Sequence, residues 1–394
     1  MRLDWLIIGG GIHGVHIAAR LLGDADISRD RLRIVDPGDC LLSSWRNCTA
    51  TTGMTHLRSS SVHHLGLHHA ALQRFAGRNQ RTTRRPFAPP FERPSLSLFN
   101  AHCDHVEATY RLRELHLRTR ATRCSIRPHA IEVQLEDDRT LEAGNIVLAI
   151  GSSEQPRWPD WAPRNDPRIH HIYTPGFDGW PTRRERVTVV GGGISSGHVA
   201  LRLVQEGHDV HLVSRHGIRQ HQFDSDSGWL GWRYSATFSR ERDPDRRRGI
   251  VTEARHHGSV PPDMARSLRR AINRRQLTWH QGEIDHLVEG PDGMKLVLDE
   301  DTAIEAHRVL LATGFDSRRP GGIMIDKLIE SGSLPCAECG YPIVDTELRW
   351  HPRIYVSGPL AELELGPVSR NIAGARRAGD RIIDSVRSHS HAVA

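Results

Sequence analysis

The hydrophobic pattern of the chain falls into two copies of one arrangement. Leu3-Asp4-Trp5-Leu6-Ile7-Ile8 is a short apolar run that predicts a buried strand, and it leads directly into Gly9-Gly10-Gly11. After the glycines, Ile12, Val15, Ala19 and Leu22 recur at helical spacing, and Leu32-Arg33-Ile34-Val35-Asp36 predicts a second strand. A helix that crosses between two strands requires them to be parallel, so the segment reads as a βαβ unit. The same order returns at Arg186-Val187-Thr188-Val189-Val190, then Gly191-Gly192-Gly193-Ile194-Ser195-Ser196-Gly197, a helix through Gln205 and a strand from Asp209 to Ser214.

Between the two units lie a His- and Arg-rich region at 46–120, strand-like runs at 130–136 and 146–150, and a Pro/Trp-rich connection from Gln155 to Pro181 that marks a domain boundary. Beyond the second unit, residues 216–262 are polar and rich in aromatics, Met264 to Asn273 has helical spacing, and Lys295 to Leu298 and Arg308 to Ala312 are strand-like. Arg353-Ile354-Tyr355-Val356 then predicts a strand, Ser357-Gly358-Pro359 a turn, and the last helix is expected to begin near Val368 or Asn371. The predicted fold is α/β, with two Rossmann-like dinucleotide-binding domains, one inserted in the other. Residues 1–165 and 316–394 form the outer domain, and residues 166–315 the inserted one.

In Gly9-x-Gly11-x-x-Gly14 the first glycine permits a sharp turn, the second lets backbone N–H groups approach a pyrophosphate, and the third lets the helix pack close to the strand. The helix N-terminus adds unpaired N–H groups and partial positive charge. Asp36, a little over 20 residues beyond Gly14, stands where a carboxylate accepts hydrogen bonds from the two hydroxyls of an adenosine ribose. FAD and NAD offer those hydroxyls, whereas the 2′-phosphate of NADP would be repelled. At the matching end of the second unit stands Ser214-Arg215, and a guanidinium there can clamp a 2′-phosphate bidentately or simply be solvated at a strand end. The asymmetry points to FAD at the first turn and NADPH at the second. In the second turn Ser196 takes the third glycine's place, with Gly197 directly after it.

Composition narrows the class. The chain of 394 residues is 38% hydrophobic and 25% charged, as expected of a globular protein with two domains. Leu3 to Ile8 lacks the basic leader and the length of a signal peptide or membrane span, and reads as the first strand of a cytoplasmic protein. The net charge of +6 rests on arginine, since Lys295 and Lys327 are the only lysines. That bias argues against a lysine-based covalent mechanism and is equally open to a compositional origin. Arg246-Arg247-Arg248 follows Asp243 and Asp245 and is expected to be a solvated mixed-charge surface, not a nucleic-acid site.

With both turns placed, the chain resembles the two-dinucleotide-domain flavoproteins. Two connecting segments, Val147-Leu148-Ala149-Ile150-Gly151 with Pro156 and Pro159, and Leu310-Leu311-Ala312-Thr313-Gly314-Phe315, are similar to signatures of the class B flavin monooxygenases. Within that class, Met54-Thr55-His56-Leu57-Arg58 and Asp224-Ser225-Asp226-Ser227 resemble segments of the lysine and ornithine N-hydroxylating branch.

The resemblance implies that Gly9, Gly11, Ile12, His13, Gly14, Asp36, Pro37, Trp45, Gly151, Gly358, Pro359, Gly366, Pro367 and Asn371 hold FAD. It implies that Gly191, Gly193, Ile194, Ser195, Ser196, Arg215, Asp224, Ser225, Ala312, Thr313 and Gly314 hold NADPH, and that Met54, His56 and Arg58 face the flavin or the substrate, with 46–120 as a helical insertion on the substrate side. Trp45 is equally open to a place in the plain core. The implied activity is an NADPH-consuming monooxygenase that forms a C4a-hydroperoxyflavin and oxygenates a small soft nucleophile, by N-hydroxylation of an amine or S-oxidation of a thioether. Its partners would be that small molecule and molecular oxygen, with no nucleic acid and no membrane; a homo-oligomer stays open. The sequence departs from the family in lacking the Phe-x-Gly-x-x-x-His signature of the flavin-containing and Baeyer–Villiger branches, and in having Arg58 where lysine is usual.

Two further readings come from other side chains. A disulfide reductase shares the architecture and needs two thiols at the flavin. Cys40 and Cys48 have seven residues between them instead of four, and Cys336-Ala-Glu-Cys339 lies in the returning segment, so that pair is expected to be structural or incidental. A flavin-binding sensor without turnover is the other. His64 and His68 are four apart and could share a helix face, but no accompanying acid of the zinc-protease type is present, and no metal is expected.

Overall fold

The computed structural model describes residues 2–78, 86–290, 293–298 and 302–393, with side chains through residue 388. The helical insertion expected over 46–120 therefore includes seven residues, 79–85, that lie outside the described residues.

The first sheet is built on strand Leu3–Ile8, which pairs parallel with Leu32–Asp36 on one side and Thr140–Leu148 on the other. His116–Arg118 extends it beyond Leu32–Asp36, and Ile354–Val356 adds parallel to Thr140–Leu148. The chain therefore returns to its first sheet after the second unit, as an insertion requires. Both faces are covered, that of Ile7 and Val147 by helices and that of Leu6, Ile146 and Leu148 by the antiparallel strands at 121–126 and 131–135 together with helix Gly322–Gly332. All five residues are therefore buried, and the strands read as continuous apolar runs instead of alternating ones. Thr140–Leu148 is longer at its start than the run at 146–150, because its first half pairs antiparallel with Ile131–Leu135.

The second sheet is wholly parallel, in the order Leu277–Gln281, Asp209–Ser214, Arg186–Val190, Arg308–Leu311, Ile169–His171. The strands on which the chain enters and leaves this unit are thus neighbours. Helix Pro262–Asn273 starts two residues before Met264 with proline in its first turn, where the missing N–H costs nothing. It packs on helix Ile194–Gln205 at Gly197, where a β-carbon would lie 2.5 Å from the Met264 sulfur.

Two sequence expectations are corrected. His64 and His68 share no helix face, since helix Ala71–Arg78 begins only after them. Nor is the arginine run a solvated surface throughout. Arg246 is exposed, but Arg247 and Arg248 are largely covered and paired with Glu364 and Glu362 of the returning segment. Among the described residues no cluster of three or more His, Cys, Asp or Glu side chains could hold a metal ion. No helix among them is long and apolar enough to cross a membrane.

Behind helix Ile12–Gly23 lies a group of buried histidines. His16, His64 and His102 are almost wholly inaccessible, and the His64 and His102 rings meet edge to face at 5.2 Å. Gly66 N donates to His64 Nδ1, so the ring proton sits on Nε2, which donates to the His69 carbonyl. Burial holds His64 at about 4, His102 at about 3 and His16 well below the usual 6.5. The folded chain keeps these rings neutral while the unfolded chain protonates near 6.5, so their contribution to stability is complete above that pH and is lost as pH falls from 6.5 toward 4. The thermal unfolding midpoint should be level from about pH 8 to 6.5 and then drop by several degrees toward pH 4. Calorimetry across that range checks it; a flat profile would mean that the rings titrate alike in both states.

Candidate functional site

The first glycine turn is shaped by backbone crowding. Gly9 has φ of 112°, and a β-carbon on it would lie 2.5 Å from the Ala149 carbonyl oxygen. On Gly14 a β-carbon would lie 1.8 Å from the Gly9 oxygen, whereas at Gly11 nothing stands within 4 Å. The helix that follows has no side-chain cap and no acid in its first turn. Its leading N–H groups therefore face open space over Gly11, a cradle that fits a pyrophosphate. Asp36 is pinned beside it: Gly10 N donates to Oδ2 at 2.6 Å and Gly38 N to Oδ1 at 2.8 Å. Each carboxylate oxygen keeps a lone pair for a ribose hydroxyl.

The second turn repeats this geometry with different chemistry. Gly191 has φ of 148° and would place a β-carbon 2.4 Å from the Ala312 oxygen. Its helix is likewise uncapped and lacks an acid in the first turn. Gly9 N donates to Val35 O and Gly191 N to Val213 O, which makes Ser214 the counterpart of Asp36 and Arg215 that of Pro37. Ser214 Oγ is committed within the protein: it accepts from Trp279 Nε1 and donates to the His216 carbonyl, both at 2.9 Å. No carboxylate meets Gly192 as Asp36 meets Gly10. Arg215 is 61% exposed, and its ion pair with Glu283, at 3.8 Å, is loose and solvent-screened, leaving the guanidinium available at the rim. Ser196, in the third glycine's place, is buried and turns its hydroxyl back to Gly193 O.

Between the two turns the returning segments close the site. His13 Nδ1 bonds Ser357 Oγ at 2.7 Å, and burial holds this ring at about 4, so it is neutral. Gly358 and Gly366 have φ of 69° and 74°, and Pro359 and Pro367 are buried beside them. Asn371 Oδ1 accepts from Gly374 N at the start of the last helix, while Gly151 is exposed, with nothing within 4 Å of where a β-carbon would stand. On the second unit, His171 Nδ1 accepts from Tyr173 N, so its Nε2–H donates to Thr313 Oγ1, whose own proton goes to the Arg157 carbonyl. Ala312 is buried and Gly314 has φ of 80°. The Tyr173 hydroxyl bonds Ser195 in the second turn, and its ring stacks on Phe315 at 4.8 Å. Ser357 opens the turn Ser357-Gly358-Pro359 that the sequence marks, but nothing in the sequence joins it to His13, and no spacing joins His171 and Tyr173 to the second glycine turn.

Arg58 is committed to the junction of the units. Its guanidinium donates to the carbonyls of His221, Gln222 and Phe223 and to Ser259 Oγ. Burial lowers it to about 10, with nearby Asp224 acting against that fall. Two neighbours of this junction keep polar atoms unused. His56 Nε2 and both amide atoms of Gln222 are buried without a hydrogen-bond partner among the described residues. Met54 packs against the first core, Ser225 is buried and pairs with Arg255, and the Asp224 carbonyl accepts from His256 N. Trp45 lies within the first unit, 5.3 Å from buried Phe99, with its indole N–H donated to Asn100.

The six cysteines are free thiols. Burial raises Cys48 to about 11 and also raises Cys336, the reverse of what a thiolate nucleophile needs.

A family model described as pyridine nucleotide-disulphide oxidoreductase matches residues 6–241. No curated protein matches the chain. Among solved structures, the ornithine N-hydroxylase of Kutzneria sp. 744 is 16% identical, with a TM-score of 0.80 over 99% of this chain and 100% of that one. The L-lysine 6-monooxygenase of Pseudomonas syringae is 17% identical, with a TM-score of 0.73 over 98% and 99%. The bacillithiol disulfide reductase of Bacillus cereus is 18% identical, with a TM-score of 0.64 over 99% and 100%. At these identities the likeness is one of fold.

Replacing Arg58 with alanine strands three main-chain carbonyls at the junction and should destabilise the chain by roughly 1–3 kcal/mol. Lysine, a point donor without the planar fork, should recover only part of this. Urea unfolding of both variants measures it, and an unchanged midpoint for alanine would remove the junction role.

Proposed function

The chain belongs to the pyridine nucleotide-disulphide oxidoreductase family, and from that membership we propose that it is an FAD-dependent, NADPH-consuming monooxygenase acting on a small soft nucleophile. The observation that carries the reading is the pair of glycine turns, alike in backbone and opposite in charge: Asp36 at the first, Arg215 at the second. FAD, when bound, supplies acceptance of hydride from NADPH and activation of dioxygen for transfer of one oxygen atom to an amine or thioether.

The protein's part is binding, orientation and exclusion of water. Gly9, Gly11, Ile12, His13 and Gly14 hold the FAD pyrophosphate on an uncapped helix end, and Asp36 accepts from the ribose hydroxyls. Gly191, Gly193, Ile194, Ser195 and Ser196 hold the second pyrophosphate, and Arg215 takes the 2′-phosphate. His13, neutral and bonded to Ser357, ties the first turn to the segment Gly358–Asn371 without placing a charge beside the flavin. His56 and Gln222, with unused donors and acceptors at the Arg58 junction, are assigned to the substrate side, and Asp224, read from the sequence as an NADPH contact, stands near Arg58 at the same junction. Oxygen, not a disulfide, is the electron acceptor in this reading: Cys336 and Cys339 lie on the returning segment outside both glycine turns, and burial raises the Cys48 and Cys336 thiols instead of activating them.

Anaerobic NADPH should bleach the flavin's visible band, and readmitted oxygen should be consumed with formation of a product one oxygen atom heavier from an amine or thioether. NADPH-driven release of thiols without oxygen uptake would establish the reductase instead, and failure of NADPH to reduce the flavin would leave a non-catalytic flavoprotein. For cofactor choice, Arg215→Ala should raise the KM for NADPH roughly tenfold, less than a buried clamp would give because the side chain is exposed, and leave that for NADH nearly unchanged. Equal effects on the two would remove the assignment of NADPH.

A further inference from the structure

Between Ser214 and Pro262 the chain leaves the second sheet, runs over the first unit and comes back. A short parallel pair, Arg219–Gln220 with Ser259–Val260, closes the neck of this excursion. Its body is a turn of helix at Ser227–Leu230 followed by helices Trp232–Phe238 and Pro244–Ala254.

The neck rests on the second glycine turn. A β-carbon on Gly192 would lie 2.8 Å from the His216 ring, and one on Gly193 would lie 3.8 Å from the Gly258 α-carbon. Gly258 has φ of 66° and itself leaves room for the His216 ring, 2.3 Å from where its β-carbon would stand. Whatever occupies the space over Gly193 therefore meets the neck. Arg58 clamps the same neck from the first unit through the carbonyls of residues 221–223.

The body rests on the returning segment of the first unit. Trp229, 7% exposed, lies against Gly366, whose β-carbon would be 3.0 Å from the indole ring, and Phe238, Val251 and Val368 complete a small apolar core. Around this core, Arg247 Nη1 donates to Glu364 at 2.7 Å and to the Leu363 carbonyl at 2.9 Å. Arg248 and Arg255 pair with Glu362, which is fully buried and also takes Arg370 Nε at 2.6 Å. Arg255 donates to the Pro367 carbonyl as well. A buried carboxylate shared by three guanidiniums resists partial opening, since losing one partner leaves charge uncompensated in a low dielectric. Helix Pro244–Ala254 and the arginine after it are thus fastened to the returning segment by charge as well as by apolar contact.

We infer that this excursion couples occupancy of the second glycine turn to retention of FAD at the first. The inference rests on the assignment of FAD and NADPH above and adds a physical link between them. NADP+ over Gly191 and Gly193 fixes the neck, the fixed neck keeps Trp229 on Gly366, and the segment Gly366–Asn371 stays closed on FAD. Linkage makes the effect reciprocal: FAD raises the affinity for NADP+ by the same factor that NADP+ raises the affinity for FAD. Trp229 and Arg247 act here as positioning residues, through the returning segment.

The test follows release of FAD from the diluted holoprotein by the rise in free-flavin fluorescence, with and without NADP+. In the native chain NADP+ should slow release about tenfold, within the usual range of coupling between two sites. Trp229→Ala should release FAD quickly in both conditions, and Trp229→Phe should restore most of the NADP+ effect. Arg247→Gln, which leaves the aromatic core in place, should weaken the effect without a large fall in the thermal midpoint of the apoprotein. Trp232→Ala, at an 82% exposed position of the same excursion, should behave as the native chain does. Equal release rates with and without NADP+ in a native protein that binds both nucleotides would overturn the inference, as would an undiminished NADP+ effect in both Trp229→Ala and Arg247→Gln. A native chain that binds no FAD would instead overturn the proposed function on which the inference stands.

Discussion

A β-carbon on Gly9 would lie 2.5 Å from the Ala149 oxygen, and one on Gly191 would lie 2.4 Å from that of Ala312. In each unit the first strand thus turns into its helix against the backbone of the neighbouring strand, at a distance only glycine permits. That approach aims the helix end at open space, and the site depends on it. With the turn closed, Asp36 comes within hydrogen-bond reach of Gly10, and Ser214 takes the equivalent place beside Gly192. The electrostatic difference between the two sites is then a difference of one or two side chains on a common frame.

The relation between the units is set by a different chemistry. All but two of the 53 basic residues are arginine, and many serve as forks between chain segments far apart in sequence. Arg58 grips the main chain of residues 221–223, and Arg202 grips the carbonyls of Ala50 and Thr51 while stacking on Trp180. Arg376 donates to the carbonyls of His64, Gly66 and Leu67. Most of these acceptors are neutral carbonyls, over which a guanidinium spreads five donors on three nitrogens, whereas an ammonium has three donors on a single nitrogen. The arginine bias, whatever its origin, is used as geometry.

These two levels differ in how far the sequence discloses them. The βαβ units, the parallel pairing within them and Asp36 beside its turn are local or periodic features, each following from residues close together in the chain. The insertion of one unit in the other shows as a change of character along the chain at 155–181 and again after 315. Arg58, Arg247 and Arg248 are another matter. Each has partners more than a hundred residues away, and nothing in Met54-Thr55-His56-Leu57-Arg58 or in Arg246-Arg247-Arg248 tells an arginine that faces solvent or ligand from one that holds a carbonyl or a buried carboxylate. For the same reason His64, four residues from His68, carries a helical spacing and yet sits in a turn. Its neighbours are His102 and Arg376, which only the tertiary fold supplies. Trp229 reads as one aromatic in a polar stretch until Gly366 is brought beneath it.

The strands by which the chain enters and leaves the second unit, Ile169–His171 and Arg308–Leu311, are hydrogen-bonded neighbours, and Pro156 pairs with Phe315 just outside them. The cut ends of the outer unit therefore lie about one strand spacing apart, near 5 Å. A short loop would seal the outer unit there, and a different nucleotide-binding module with equally close ends would fit the same opening. Such an exchange would leave the first sheet, its glycine turn and its own core intact, and would alter only the arginine forks and the excursion by which the present module is fitted to its host. Modularity of this kind lets the electron donor change, provided that the new module brings its own hold on the segment around Gly366, which the present one grips through Trp229 and its arginines.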